Sequence, residues 1–294
     1  MTFAPRKHFS VPLPGRLPLE LGGRTLVMGI LNVTPDSFAD GGLHFDLEDA
    51  VAHGVRMAAE GADIVDIGGE STRPGSVPLA EDEELRRVLP VIERLAGLID
   101  VPIAVDTYKG NVAREAVGRG ATIVNDISNL QYDTGLGHAV AATGAALVLM
   151  HNRGRSSDMY REAAYSDVAG EVRRELHEGV ARALDCGVSR HAIIVDPGFG
   201  FAKRAEHTFE ALARLDELAW LDRPILSGPS RKSFLHAAIG ARPPGERHWG
   251  TAAAVATSVL LGAHIVRVHD VPAMVDVVRV ADRVRASLPV PPGG

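Results

Sequence analysis

The chain has 294 residues, 46% of them hydrophobic and 23% charged. That is the balance of a soluble globular protein with a sizeable core, in two domains or one large α/β barrel. A net charge of −6 with no Lys/Arg-rich run argues against a nucleic-acid partner, though a few local arginines still suffice for an anionic small substrate.

Cys186 is the only cysteine, which excludes an internal disulfide or a multi-cysteine metal site and suits a reducing cytoplasm. Beside Gly187 at an apparent helix end, it reads as structural. Residues 1–20 hold four prolines and no apolar signal core. The most apolar helical stretch, 251–263, is too short for a bilayer. A soluble, cytoplasmic protein with no membrane partner is expected.

In chain order, residues 1–24 read as an irregular lead-in. A buried strand over 26–31 ends at Asn32, and a polar loop with Pro35, Gly41 and Gly42 follows. The helix over 47–60 opens with Glu48 and Asp49, as its dipole favours, and stops at Gly61. The second strand, 64–67, runs into the Gly/Pro-rich stretch 68–75, and a helix follows over 81–96. Strand 101–105 ends at Asp106 before a helix over 111–119. Strand 121–124 ends in Asn125-Asp126 before a helix near 137–142, and strand 145–150 ends at His151 before a long helix over 168–183.

The run 193–195 is a β-branched strand that ends in an acid, Asp196. Pro197 holds Asp196 extended, and Gly198 and Gly200 let the backbone turn close to whatever the carboxylate holds. A helix over 206–218 precedes strand 224–227, then Gly228-Pro229-Ser230-Arg231-Lys232 and a short helix. Strand 264–268 closes with His269-Asp270 before a last helix over 272–286. The proline- and glycine-rich tail 289–294 is expected to be disordered.

Eight β-rich runs alternating with helical ones predict a single-domain (β/α)8 TIM barrel over 25–288. A doubly wound open sheet is the alternative, but no composition break divides the strands. Barrel sites lie at the C-terminal face, just after each strand. That rule selects Asn32, Arg73, Asp106, Asn125, Asp196, Lys232, Arg267 and His269.

Asp106, Asn125 and Asp196 suit a flat heterocycle with amide and amino edges, because a carboxylate accepts paired N–H groups and an amide both donates and accepts. The plain alternative for each is a helix or turn cap. Asn125 and Asp126 are strand neighbours, so only one faces inward, and the spacing leaves open which. Arg267 and His269 share a face and suit a phosphate group. Ser230 is expected to cap the next short helix. A surface pair of Arg267 with Asp270 is the plain alternative there. The stretch 198–203 lacks the third glycine of a dinucleotide fingerprint, and no HExxH pattern is present.

Eight stretches in order resemble the dihydropteroate synthase family: MGILNVTPDSFADGG (28–42), DIGGESTRPG (66–75), AVDTYK (104–109), VNDIS (124–128), LMH (149–151), DPGFGFAK (196–203), SRKSF (230–234) and RVHDV (267–271). The resemblance implies condensation of 6-hydroxymethyl-7,8-dihydropterin pyrophosphate with 4-aminobenzoate, giving dihydropteroate and pyrophosphate. It implies a pterin pocket at Asp106, Asn125, Asp196 and Lys232 with Met150 against the ring. It implies a pyrophosphate site at Asn32, Arg73, Arg267 and His269, with Mg2+ beside Asn32 and Asp40. The aminobenzoate site maps to Phe38, Thr72, Pro74, Phe201 and Ser230, and the loops after strands one and two are expected to close over the site. Asp106, Asp196, Lys232, Arg73 and Asp40 are the implied catalytic group. A homodimer is implied, in keeping with the apolar helix 252–262.

Ala202 stands where the family often has glycine, and His151-Asn152-Arg153-Gly154 and Asn129-Leu130-Gln131 also depart from the common pattern. The rival readings are a methyltetrahydrofolate-dependent methyltransferase on the same barrel and a non-catalytic pterin-binding paralogue. The first leaves 71–74 and 230–232 without a task; turnover separates all three.

Overall fold

The structure, a computed structural model, describes residues 6–34, 47–71, 76–155, 160–161 and 163–287. It opens with an antiparallel hairpin, β1 (Phe9–Val11) paired with β2 (Leu19–Leu21), where an irregular lead-in was expected. Three-residue strands are too short to show alternation in sequence. Tertiary burial forms them: Val11, Leu13 and Leu21 pack with Leu26, Ile64, Ile123 and Ile265, the first residues of four barrel strands or their neighbours. The hairpin therefore plugs the N-terminal end of the barrel.

The barrel begins with β3 (Leu26–Asn32), α1 (Leu47–Ala59), β4 (Ile64–Gly68) and α2 (Glu81–Ala96). It continues through β5 (Ile103–Asp106), α3 (Gly110–Gly118), β6 (Ile123–Asp126), α4 (Leu136–Thr143), β7 (Ala146–Met150) and α5 (Val168–Asp185). Then come β8 (Ile193–Asp196), α6 (Ala205–Ala213), β9 (Leu226–Ser227), α7 (His236–Ile239), α8 (His248–Leu260), β10 (Ile265–Val268) and α9 (Val271–Ala286). The eight parallel strands run β8-β7-β6-β5-β4-β3-β10-β9. The ring closes where Val195 bridges Ile225 and donates its N–H to the Pro224 carbonyl at 2.9 Å. This is the TIM barrel.

The helix expected over 206–218 divides into α6 and a 3-10 run, Leu215–Leu221. Leu215, Leu218 and Leu221 are all buried, and their three-residue spacing is the 3-10 period, so the tighter helix buries them on one face. Cys186 caps α5 and packs over Gly137, where a Cβ would come within 2.6 Å of its sulfur. No helix among the described residues is long and apolar enough to cross a membrane.

Two cores follow from the period of two along each strand. Val65, Ile67, Val105, Val124, Leu147, Val195 and Val266 face the helices. Ile64, Ala104, Ile123, Val148, Ile194 and Ile265 fill the barrel. Two residues further on, toward the C-terminal face, the inward position becomes polar or soft in each of those six strands: Asp66, Asp106, Asn125, Met150, Asp196 and Arg267.

Candidate active site

The ladder register brings these side chains together. Asp106 pairs with Asn125, Met150 with Asp196, and Arg267 with Met28 beside the next strand, where Ile30 pairs with Asp66. Asn125 faces the barrel: its Nδ2 donates to Asp66 Oδ2 at 3.0 Å. Asp126 faces away and caps the following turn, accepting from Ser128 N at 2.8 Å and Leu130 N at 2.6 Å. Asn129 and Leu130 both take left-handed backbone in that turn, and Asn129 Nδ2 donates to the Glu175 carbonyl of α5 at 3.0 Å. The unusual Asn129-Leu130 pair thus has a structural role.

Arg267 points inward, bonding Asp66 through Nε at 2.5 Å and Asp106 through Nη2 at 2.7 Å. The surface pair with Asp270 does not form; Asp270 holds Arg231 instead. Burial pushes the Asp106 carboxyl up to about 7, against the pull of Arg267 and with the help of the Asp66 charge. Burial also raises Asp196, while Lys232 opposes the rise. Lys232 is brought down to about 8 by burial, with Asp196 holding against it.

Sequence reasoning missed Asp66. It lies inside β4 rather than after it, so a search of strand ends passes over it. Its signal was present all the same, two residues beyond the buried Ile64 and in phase with the other inward positions.

The stretch after β8 is a tight curl. Gly198, Gly200 and Ala202 all take left-handed backbone, with φ of 67°, 75° and 48°. Gly198 has no alternative, because a Cβ there would sit 2.0 Å from the His151 carbonyl oxygen. Asp196 Oδ1 accepts from Gly198 N at 2.7 Å, which fixes the carboxylate. The curl turns two carbonyls toward Lys203 Nζ, which donates to Gly198 O at 3.2 Å and Phe201 O at 3.1 Å.

Lys203 also donates to His151 Nδ1 at 2.7 Å, so the other ring nitrogen carries the hydrogen and donates to Glu175 Oε2 at 3.0 Å. Lys203 and His151 are fully buried. Burial and the neighbouring Lys203 bring His151 down to about 4, which keeps it neutral. Burial opposes ionisation of Glu175, but bonds from His151 and Arg153 hold it at about 2. Arg153, one of the departures noted above, thus belongs to this support.

Lys232 Nζ donates to the Phe199 carbonyl at 2.6 Å and lies 4.5 Å from the centre of the Phe201 ring. Ser230 caps no helix. The short 3-10 turn beyond starts at Ser233 with no side-chain cap, and Ser230 Oγ instead accepts from His269 N at 3.2 Å and sits 2.9 Å from its Nδ1. Met150 is buried beside the curl. Asn32 ends β3 half-exposed. Phe38, Asp40, Thr72, Arg73 and Pro74 lie outside the described residues, as does the tail from 288 onward.

The site is therefore a ring of acceptors and cations above an apolar floor, suited to a flat polar ring with an anionic substituent. Residues 28–269 match the model of the pterin-binding enzyme family. Dihydropteroate synthase of Synechocystis is 45% identical over 276 residues, covering 94% of this chain and 96% of that protein. The Yersinia pestis dihydropteroate synthase, solved with a sulfonamide drug, superposes with a TM-score of 0.88 at 40% identity, covering 96% of this chain and 100% of that one. The Xanthomonas albilineans dihydropteroate synthase with 4-aminobenzoic acid gives 0.86 at 45% identity, covering 92% and 96%.

Proposed function

The chain belongs to the pterin-binding enzyme family, as a dihydropteroate synthase, and from that premise we propose how its residues divide the reaction. It is a transferase of folate biosynthesis that joins 6-hydroxymethyl-7,8-dihydropterin pyrophosphate to 4-aminobenzoate. The bond between the pterin methylene and the pyrophosphate oxygen breaks, and its electron pair leaves with pyrophosphate. The aminobenzoate nitrogen bonds to the methylene carbon and gives up one proton.

The polar layer above the barrel floor carries the residue assignment. Asp196 accepts paired N–H groups of the pterin edge, Asn125 and Asp106 serve its other edge, and Lys232 donates to a ring acceptor. Met150 packs on the ring. The carboxylates of Asp106 and Asp196 offset positive charge that develops at the methylene, and Arg267 and His269, with Arg73, stabilise the departing pyrophosphate. The nucleophile is a neutral aromatic amine, so no strong base is required. Phe201 and Ser230, with Phe38, Thr72 and Pro74, are assigned to aminobenzoate.

Mg2+ is assigned to Asn32 and Asp40. Asn32 ends β3 at the C-terminal face of the barrel, and its amide oxygen is a hard donor. Mg2+ takes such oxygens, keeping several waters and binding one or two protein ligands alongside substrate phosphates. When bound it would neutralise charge on the pyrophosphate. We assign the enzyme to the cytoplasm on its lone cysteine, and infer a homodimer through α8 and α9.

Asp196→Asn tests the layer. The variant keeps the shape but replaces an acceptor oxygen with a donor and removes the charge. Losing a charge-assisted bond costs about 1.5–3 kcal/mol, so pterin affinity by calorimetry should fall roughly ten- to hundredfold. Unchanged affinity in a folded variant would place the pterin elsewhere.

A further inference from the structure

Asp66 is a buried carboxylate in the middle of a strand, at a position where an aliphatic residue would extend the barrel floor. A buried charge is costly unless paired and fully hydrogen-bonded. Asp66 is only half satisfied. Its Oδ2 receives both Arg267 Nε at 2.5 Å and Asn125 Nδ2 at 3.0 Å. Its Oδ1 is buried with no hydrogen-bond partner. Folding alone gives little return for such a residue, and sites that break local rules in this way tend to serve function.

The two bonds it does make determine what the pocket offers. An ionised carboxylate only accepts, so the Asn125 amide must turn its NH2 toward Asp66. Its carbonyl oxygen and one remaining N–H are then left for a ligand edge. Arg267 is held at Nε by Asp66 and at Nη2 by Asp106, which fixes the guanidinium plane and leaves Nη1 for an anion.

We propose that Asp66 is a positioning residue for pterin recognition: it sets the amide orientation of Asn125 and the guanidinium plane of Arg267 without touching substrate. The proposal rests on the pterin occupying this layer. Without Asp66, the Asn125 amide can flip, and the donor–acceptor order of the pocket is lost in a fraction of molecules.

Calorimetry with the dihydropterin pyrophosphate, together with steady-state kinetics, tests it on Asp66→Leu, Asn125→Ala and the double variant. Asp66→Leu should weaken pterin binding about tenfold and leave the KM for 4-aminobenzoate within twofold. In the Asn125→Ala background the same change should cost only about threefold, the remainder acting through Arg267. A structural role would lower the melting temperature yet leave pterin affinity unchanged, or cost the same with and without Asn125; either result overturns the proposal. Should Asp66→Leu fail to fold, Asp66→Asn keeps the shape and one acceptor oxygen and should still weaken binding at least threefold. Unchanged affinity in that variant overturns the proposal equally. Wild-type binding, and its loss in Asp196→Asn, separately checks that the pterin lies here.

Discussion

Asp106 and Lys232 are both brought toward neutrality from opposite directions. Burial, opposed by Arg267 and aided by Asp66, holds Asp106 at about 7, and burial opposed by Asp196 holds Lys232 at about 8. In the proposed binding mode the pterin needs Asp106 ionised to accept a hydrogen bond and Lys232 charged to donate one. Binding should therefore strengthen as pH rises through about 7 and weaken again above about 8. The expected profile of kcat/KM for the pterin is bell-shaped, with limbs belonging to the interacting group as a whole. Asp106→Asn should remove the acid limb and Lys232→Met the alkaline one; a flat profile in the wild type would show that neither group titrates in this range.

Stability has the opposite sign for Asp106. Its folded pKa is raised, so between about 4 and about 7 the folded chain holds a proton that the unfolded chain has lost. The ligand-free enzyme should lose stability as pH rises across that window, and Asp106→Asn should flatten the loss in urea melts. Most of these residues were legible in sequence, because Asp106, Asn125, Asp196, Lys232 and Arg267 each stand at or near the end of an apolar run. Asp66 was not, since it lies within its run. The inward choice between Asn125 and Asp126 became clear only with the strand phase, which the buried Ile123 sets.

The curl from Asp196 to Lys203 is the element that presents the site, and Lys203 holds it from behind. Lys203→Met would leave Gly198 O, Phe201 O and His151 Nδ1 buried without their donor. An unsatisfied buried group costs about 1–3 kcal/mol, so the variant should lose at least that much in urea unfolding. Phe201 and the Phe199 carbonyl would also lose their support, so Lys232 should be displaced and aminobenzoate should bind more weakly. A variant with wild-type stability would show that the three contacts are not formed.

Ala202 makes the neighbouring point. Its φ of 48° is left-handed backbone that glycine adopts more readily, and its methyl is fully buried. A β-branched Ala202→Val should be strongly destabilising, through left-handed strain and overpacking together. The strands around this element were legible to within about two residues, because period-two burial acts locally. The hairpin β1–β2 and the 3-10 run after α6 were not, because barrel contacts made far away in sequence stabilise both.

At the scale of the whole molecule, the α8–α9 flank of the barrel presents a largely apolar groove, with Asp276 as the one charged residue in its lining. Ala252, Ala256 and Leu260 of α8 and Val277, Val280 and Val284 of α9 line a shallow groove of about 470 Å3. Val280 is 66% exposed and Val284 48%. Valines that far out on a helix are a cost in solution unless a second surface covers them. A second copy is the simplest occupant, because a two-fold axis sets one α8–α9 face on another and makes the patch its own complement. The site opens at the C-terminal end of the strands, and this face lies on the flank. Light scattering at micromolar concentration should therefore give twice the 31.2 kDa of one chain. Val280→Glu should place two like charges near the axis and give a monomer, with circular dichroism unchanged and turnover per chain within about twofold of wild type. A wild-type mass of one chain at that concentration, or a Val280→Glu variant that stays dimeric, would mean that this face is not the interface.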